Sequence, residues 1–261
     1  MKHFGLIATS SLVVAAGALA AGCNVESVYC QSAHGAFAVK LNLKTGTGAC
    51  SELKGGVFGV QSYNYAKSDG RPDPAKASMA IQAEDLGVLV DDAEARLGEL
   101  PDPTHKPYAQ GDFGSSKPDK DDLCHVPTMA EAIQNLPALP EVPPDPEDPD
   151  SVLQPAEPAK AFTYAWTNMA FLVTPAATGT QFSADLSFTQ DGCTATYEAW
   201  GLYPAASCDK GDGTPDDNLC ASEANPELGI ATGSGINPDF PRVCDPDLLL
   251  CVLTAKPPVY K

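Results

Sequence analysis

The residues of this chain best equipped for chemistry are its nine cysteines, and one of them stands apart from the rest. Cys23 follows Gly22 directly, at the end of an apolar, uncharged stretch that begins near Phe4 and closes in the small residues of "ALAAGC". The other eight, Cys30, Cys50, Cys124, Cys193, Cys208, Cys220, Cys244 and Cys251, form an even set. In a chain that has left the cytoplasm, disulfides form and persist, and four bridges account for all of them. About a hundred pairings are open to eight cysteines, and spacing does not choose among them. The alternating residues between Cys30 and Cys50 suggest one, a bridge closing the first hairpin. Zinc is the competing use. No C-x-x-C pair exists, and the nearest two, Cys244 and Cys251, have six residues between them, so the cysteines do not read as metal ligands.

Carboxylates offer a second chemistry. The stretch "CDKGDGTPDDNLC", residues 208–220, looks like half of a calcium loop of the EF-hand or thrombospondin-type-3 kind, in which acids at alternate positions surround a hard cation and a glycine permits the bend. Asp212, Gly213 and Asp216 fit D-G-x-x-D, which makes Asp212 and Asp216 the calcium candidates. Cys208 and Lys210 stand where two more acids belong and Leu219 replaces the last, so a pair of turns at Gly213 and Pro215 is the plainer reading. For an enzyme the case is thin. Beyond the leader only His34, His105 and His125 remain, none in an H-x-x-x-H pair, and "TGSG" lacks the first glycine of G-x-S-x-G. A hydrolase with paired carboxylates stays open as an alternative, yet nothing singles two acids out. The aromatics Tyr63, Tyr65, Tyr164, Trp166, Tyr197, Trp200 and Tyr203 could form a carbohydrate or peptide platform; their period-2 placement reads first as core and cross-strand packing.

Lys2 and His3 open the chain. The apolar part that follows is rich in Ala, Gly, Ser and Thr, where a spanning helix wants about 20 strongly hydrophobic residues, so residues 1–22 read as a secretory signal. The segment resembles a bacterial lipoprotein signal, whose lipobox is Leu-Ala-Gly-Cys or a close relative. Ala20, Ala21, Gly22 and Cys23 carry the match, with Ala where Leu is usual three before the cysteine. The resemblance implies that Cys23 is alkylated with diacylglycerol, that cleavage falls between Gly22 and Cys23, and that the new amino group is acylated. Each buried methylene contributes about 0.8 kcal/mol and a single chain binds marginally, so three chains would anchor the protein durably. In such lipoproteins an Asp after the cysteine signals inner-membrane retention; Asn24 favours the outer membrane. Against 16 Lys and Arg stand 34 Asp and Glu, a net charge of −18 that disfavours nucleic acid and anionic lipid surfaces. The expected partners are the membrane, through the acyl chains, and an envelope protein or polysaccharide.

The elements that must position these groups are mainly strands. Phe37, Val39, Leu41 and Leu43 alternate with Ala38, Lys40, Asn42 and Lys44, the pattern of a half-buried strand. "TGTG" turns the chain, "GGVFGVQSYNY" offers a second strand over about 55–65, and Ala77, Met79, Ile81 and Ala83 mark a third. "DDAEARLG" predicts a short helix with Asp91 or Asp92 as cap and Gly98 at its end. Thr128 three residues before Glu131 has the form of a capping box and predicts a second, stopped by Pro137. Between Pro137 and Pro158 lie eight prolines, six acids and no basic residue, which predicts an extended, solvated spacer in preference to a proline-recognition ligand. Strand signals return in "AFTYAWTNMAFLV" and in the alternation around Phe182, Ala184, Leu186 and Phe188; Asp191-Gly192 supplies a hairpin turn, and Cys193, Ala195, Tyr197 and Ala199 lead back. No internal repeat is apparent. The expected architecture is mainly β: one antiparallel sheet or sandwich, built from 23–98 and 159–204 after the signal at 1–22. It carries an irregular Pro/acid-rich insertion with one short helix over 99–158. The cysteine-containing tail, 205–261, is expected to be irregular and held by covalent bonds more than by a core.

At "DGTPDDNLC", "ATGSGINPDFPRVCDPDLLLC" and the lipobox, the sequence resembles cysteine-containing outer-membrane lipoproteins of myxobacteria, of the MlpA kind. The likeness is most specific over residues 208–253. It implies a lipid-anchored cell-envelope protein with a binding, adhesion or structural role and no catalytic activity, and it carries over no functional residue beyond Cys23. A calcium-responsive surface module is the remaining alternative.

Overall fold

A computed structural model describes residues 28–148 and 150–260; the signal segment and Cys23 lie outside that range. Strands β1 (Gly35–Thr45), β2 (Gly55–Ala66) and β3 (Pro72–Ala83) form a meander, followed by helix α1 (Glu84–Leu97). Three short strands come next, β4 (Ala109–Asp112), β5 (Leu123–Val126) and β6 (Ala132–Leu136). The long strands β7 (Lys160–Thr174), β8 (Ala177–Gln190) and β9 (Cys193–Leu202) then make a second meander. Within the tail, β10 (Arg242–Asp245) and β11 (Leu250–Leu253) form a separate hairpin.

The nine-stranded sheet is antiparallel, in the order β4-β3-β2-β1-β9-β8-β7-β5, with β6 also on β7. Its two edges meet. The Gln110 N–H of β4 donates to the Ala130 carbonyl at 3.3 Å, and the Ala130 N–H returns to Gln110 O at 2.8 Å. Gly114 N–H to His125 O (2.8 Å) and Ile133 N–H to Lys106 O (2.9 Å) extend the seam on either side. The sheet therefore curls into a closed barrel, which removes the unpaired edges an open sheet presents. Across its interior Phe58 of β2 meets Trp166 of β7 edge-on at 5.6 Å, although three strands separate them in the sheet order.

The interior is packed. Phe37, Phe171, Phe182, Phe188 and Tyr197 are fully buried there, and the Tyr197 hydroxyl donates to the Cys50 carbonyl. Gly201 leaves room for the Phe182 ring, which a Cβ at that position would meet at 2.1 Å. The long strands lie where alternation predicts them. Leu43 is the exception in β1, half exposed where the pairing with β9 shifts register between Leu43 and Thr45.

The helix at Gly98 ends as expected, with that residue in the left-handed region at φ 74° and its N–H on Glu94 O, but it starts at Glu84, well before Asp91. Ala83 gives no side-chain cap; Glu84 and Asp85 in the first turn favour the positive end of the helix dipole instead. Leu86, Val90 and Ala93 face the barrel core.

The helix expected after Thr128 is strand β6. Pro127 and Pro137 leave too few residues for a stable helix, whereas Ala132, Gln134 and Leu136 alternate inward and pair with Tyr164, Phe162 and Lys160. Segment 99–158 is thus no insertion beside the sheet: its first part supplies β4, β5 and β6, which close the barrel. The Pro/acid stretch after it folds back on itself through the Leu139–Glu157 and Val142–Gln154 bridges. Arg96 of α1 holds it, donating to Pro155 O at 3.0 Å and pairing with Glu157 at 3.2 Å.

Candidate functional site

All eight cysteines after Cys23 are bridged, as Cys30–Cys124, Cys50–Cys193, Cys208–Cys244 and Cys220–Cys251. The expected Cys30–Cys50 pair does not form. Cys50 lies in the turn that joins β1 to β2, whereas Cys30 precedes β1, and the eleven residues of that strand put roughly 33 Å between its ends. Cys30 instead fastens the N-terminal segment to β5, and Cys50 fastens the first hairpin turn to the start of β9.

The tail packs on the outer face of the barrel. Ile236, Phe240 and Leu253 join Leu172 and Leu202 in a second apolar cluster around the two tail bridges. The Sγ atoms of Cys208, Cys220 and Cys251 lie within 4.8 Å of one another, yet each is already in a disulfide and offers no thiolate to a metal. Covalent bonds and a small core shared with the barrel hold the tail together, where the sequence suggested covalent bonds more than a core. Polar contacts complete the junction: Lys40 Nζ meets Asp245 at 2.8 Å, and Gln181 of β8 both donates to and accepts from the Val259 backbone.

Asp212 and Asp216 are placed on successive turns of the loop between Cys208 and Cys220. Asp212 accepts the Thr214 N–H at 3.0 Å; Asp216 accepts from the Asn218 backbone and side chain and faces Lys210 at 3.5 Å. Hydrogen bonds from the Thr214 side chain and backbone lower the pKa of Asp212, and that from the Asn218 N–H lowers Asp216. Asp209 accepts both Gly211 and Gly213 N–H groups. In the structure these carboxylates accept the backbone N–H groups of successive turns.

His105 and His125 each sit beside a carboxylate, and His34 is exposed. Burial works to raise the pKa of Asp102, but donors from Asn135, Thr104 and His105 outweigh it and hold the carboxyl far below its ordinary range. Asp119 is lowered to about 2, first by the Leu123 N–H and then by the His125 ring. Both carboxylates are engaged by local partners and order the loops before β4 and β5. The structure does not bring the two pairs together with any nucleophile into one site among the described residues.

The aromatics divide. Tyr164, Trp166 and Tyr197 are core residues, as their alternation predicts. Trp200 is half-buried on the outer face, its indole N–H on Glu198 at 3.1 Å, and Tyr203 packs against Phe37. Tyr63 and Tyr65 stay 47% and 48% exposed on β2. They stand on the outer face of β2, on a part of the barrel wall that the tail leaves uncovered and where a surface groove runs.

A family model described as MlpA matches residues 35–204, well over half of the chain. This chain belongs to the MlpA family. The match spans β1 to β9 and ends as the tail begins, so the barrel is what the MlpA model describes, whereas the sequence resemblance was most specific in the tail. A protein of Myxococcus xanthus named "Putative lipoprotein MlpA" is similar, 26% identical over 252 residues that cover 92% of this chain and 90% of that protein. No solved structure matches.

Proposed function

We propose that this MlpA-family protein is a lipid-anchored cell-envelope protein in which acyl chains on Cys23 hold a rigid, non-catalytic binding module at a bilayer surface. The observation that carries this reading is the cysteine ledger: eight of nine are used in four bridges, and the one left over follows Ala20-Ala21-Gly22 at the end of a secretory leader. Bridges of this kind persist in an oxidising space, where the leader would deliver the chain. Family membership and the name of the Myxococcus xanthus relative support the same assignment. No helix among the described residues is long and apolar enough to cross a membrane, so anchorage by helix would not come from residues 28–260. Asn24 directs the protein to the outer membrane under the common sorting rule. A barrel filled with aromatic side chains suits a scaffold that presents its outer surface.

Intact mass spectrometry of the mature protein, purified from its own membranes with and without reductant, tests this. The expected mass corresponds to a chain beginning at Cys23, carrying a diacylglycerol and one further acyl group, with four bridges opened by reductant. A Cys23→Ser variant should leave the membrane fraction. A mature chain without acyl groups, or a variant that fractionates like the parent, overturns the reading.

A further inference from the structure

The uncovered wall of the barrel carries a furrow that neither packing nor the anchor explains. Three adjoining hollows of about 430, 500 and 480 Å³ follow one another along β2, the first between β2 and the start of α1, the second over β3 and β4, and the third against the loop that follows β4. The first two share Gly59 and Gln82, and the last two are joined by the same-face neighbours Gln110 and Asp112 on β4. From Val57 to Tyr65 the furrow follows β2 for roughly 26 Å at a strand's rise. That length suits an extended chain, not a single small molecule.

Its central part is built in a consistent way. Gly59 and Ala80 make the floor, and the rings of Tyr63 and Tyr108 flank it. Lys106 Nζ lies 5.3 Å from the centroid of the Tyr108 ring. The side-chain amides of Gln61, Gln82 and Gln110 have no hydrogen-bond partner among the described residues and line the same space. Each amide offers two donors and an acceptor with two lone pairs, a set that matches vicinal hydroxyls, while a tyrosine ring offers its face to the C–H surface of a sugar ring.

Charge narrows the ligand. No charged side chain lines the central hollow, the Lys106 ammonium lying against the Tyr108 ring at its flank; Glu84 and Asp91 line the first hollow and Asp112 with Lys76 the third, so in a chain whose net charge is −18 a polyanion would be repelled on approach. Topology narrows it again. Strand addition by an extended peptide is closed here, because β2 and β3 are paired on both sides. We infer that this furrow binds a neutral polysaccharide chain. The inference rests on the binding reading above and gives that reading its ligand class; anchorage is measured by fractionation and binding by affinity, so either can fail alone.

Gly59 permits a clean test. A Cβ there meets nothing nearer than Gln82 O at 4.0 Å, so Gly59→Phe fills the furrow without disturbing the sheet. The full mature protein in detergent is titrated calorimetrically with cellohexaose, laminarihexaose, chitohexaose and mannohexaose, and with hexagalacturonate as the anionic counterpart. At least one neutral probe should bind and hexagalacturonate should not. Gly59→Phe should weaken that binding at least about tenfold and Tyr63→Ala about fivefold, the loss of one stacked ring, with melting temperatures unchanged. The inference is overturned if no neutral probe binds, if hexagalacturonate binds equally well, or if Gly59→Phe leaves the affinity intact. Capture of an envelope protein that Gly59→Phe abolishes, with every sugar inert, also overturns it, in favour of a protein partner.

Discussion

Phe182 in the barrel and Phe240 in the tail are equally buried, but their surroundings differ. Phe182 lies between Phe37 at 5.6 Å and Phe171 at 5.3 Å, inside a cluster drawn from all nine strands and α1. Phe240 sits among Ile236, Leu253, two disulfides and the barrel's own Leu172 and Leu202. The barrel buries its rings in a core of its own making. Among the described residues the tail has only a four-residue hairpin pair and short 3-10 turns as regular structure, and it completes its apolar cluster with Leu172, Ala177 and Leu202 of the wall it covers. Disulfides therefore serve different ends in the two regions: in the barrel they fasten strands already held by a core, and in the tail they stand in for the core that a short segment cannot build.

The severest way to break this comparison is to remove both tail bridges, with Cys208, Cys244, Cys220 and Cys251 all changed to Ser. Each bridge contributes about 2–5 kcal/mol. Amide hydrogen exchange should show residues 205–260 losing protection while β1–β9 keep theirs. Loss of protection in the barrel as well would show that the tail is integral to it. Next in size is Phe182→Ala, expected to destabilise the barrel by about 3–5 kcal/mol in chemical denaturation, since the hole lies between two rings and the close-approaching Gly201 backbone and cannot collapse.

A smaller effect is expected at the seam. Asp102 ties the loop before β4 to β6 by accepting the Asn135 N–H at 2.8 Å. Its folded pKa lies below the ordinary carboxylate value, so the stability it contributes is full above pH of about 4 and is lost as pH falls through the folded value. Asp102→Asn should cost about 1–3 kcal/mol at pH 7 and show a shallower fall in melting temperature as pH is lowered from about 5 to about 2, the range in which the unfolded carboxyl takes up its proton before the folded one. Equal acid sensitivity in parent and variant would place the source elsewhere.

The long strands and the turn at Asp191-Gly192 are legible in the sequence because period-2 alternation over many residues has one physical reading. β4, β5 and β6 are not, since four or five residues carry too little pattern, and for β6 a local capping signal pointed the other way. Barrel closure is a property of Gln110 meeting Ala130, a contact no local rule encodes. The cysteine count was legible and the pairing was not, because pairing follows which loops the closed barrel brings together. Of the furrow, the sequence offered Tyr63 and Tyr65 among many aromatics. The missing signal was the other face of β2: Gly59, Gln61 and Tyr63 alternate with the buried Phe58 and Val60, a polar and aromatic row where a bland solvent face would carry charges.

The smallest expected effects separate the two ion pairs that join tail and barrel. Lys40–Asp245 spans β1 and β10 with the Asp245 side chain only 9% exposed, whereas Lys256–Glu198 lies at the rim with the lysine largely in solvent. Burial acts to raise the Asp245 pKa, and the Lys40 hydrogen bond and the Asp247 N–H reverse it. Lys40→Met leaves that carboxylate buried with backbone donors alone, and should cost the tail about 1–2 kcal/mol, read as faster exchange in β10 and β11. Lys256→Met removes a pair that water already screens, and should change stability by less than about 0.5 kcal/mol. If the two variants prove alike, the junction is held by Leu172, Leu202 and the Gln181–Val259 clamp, and the charges across it only set its register.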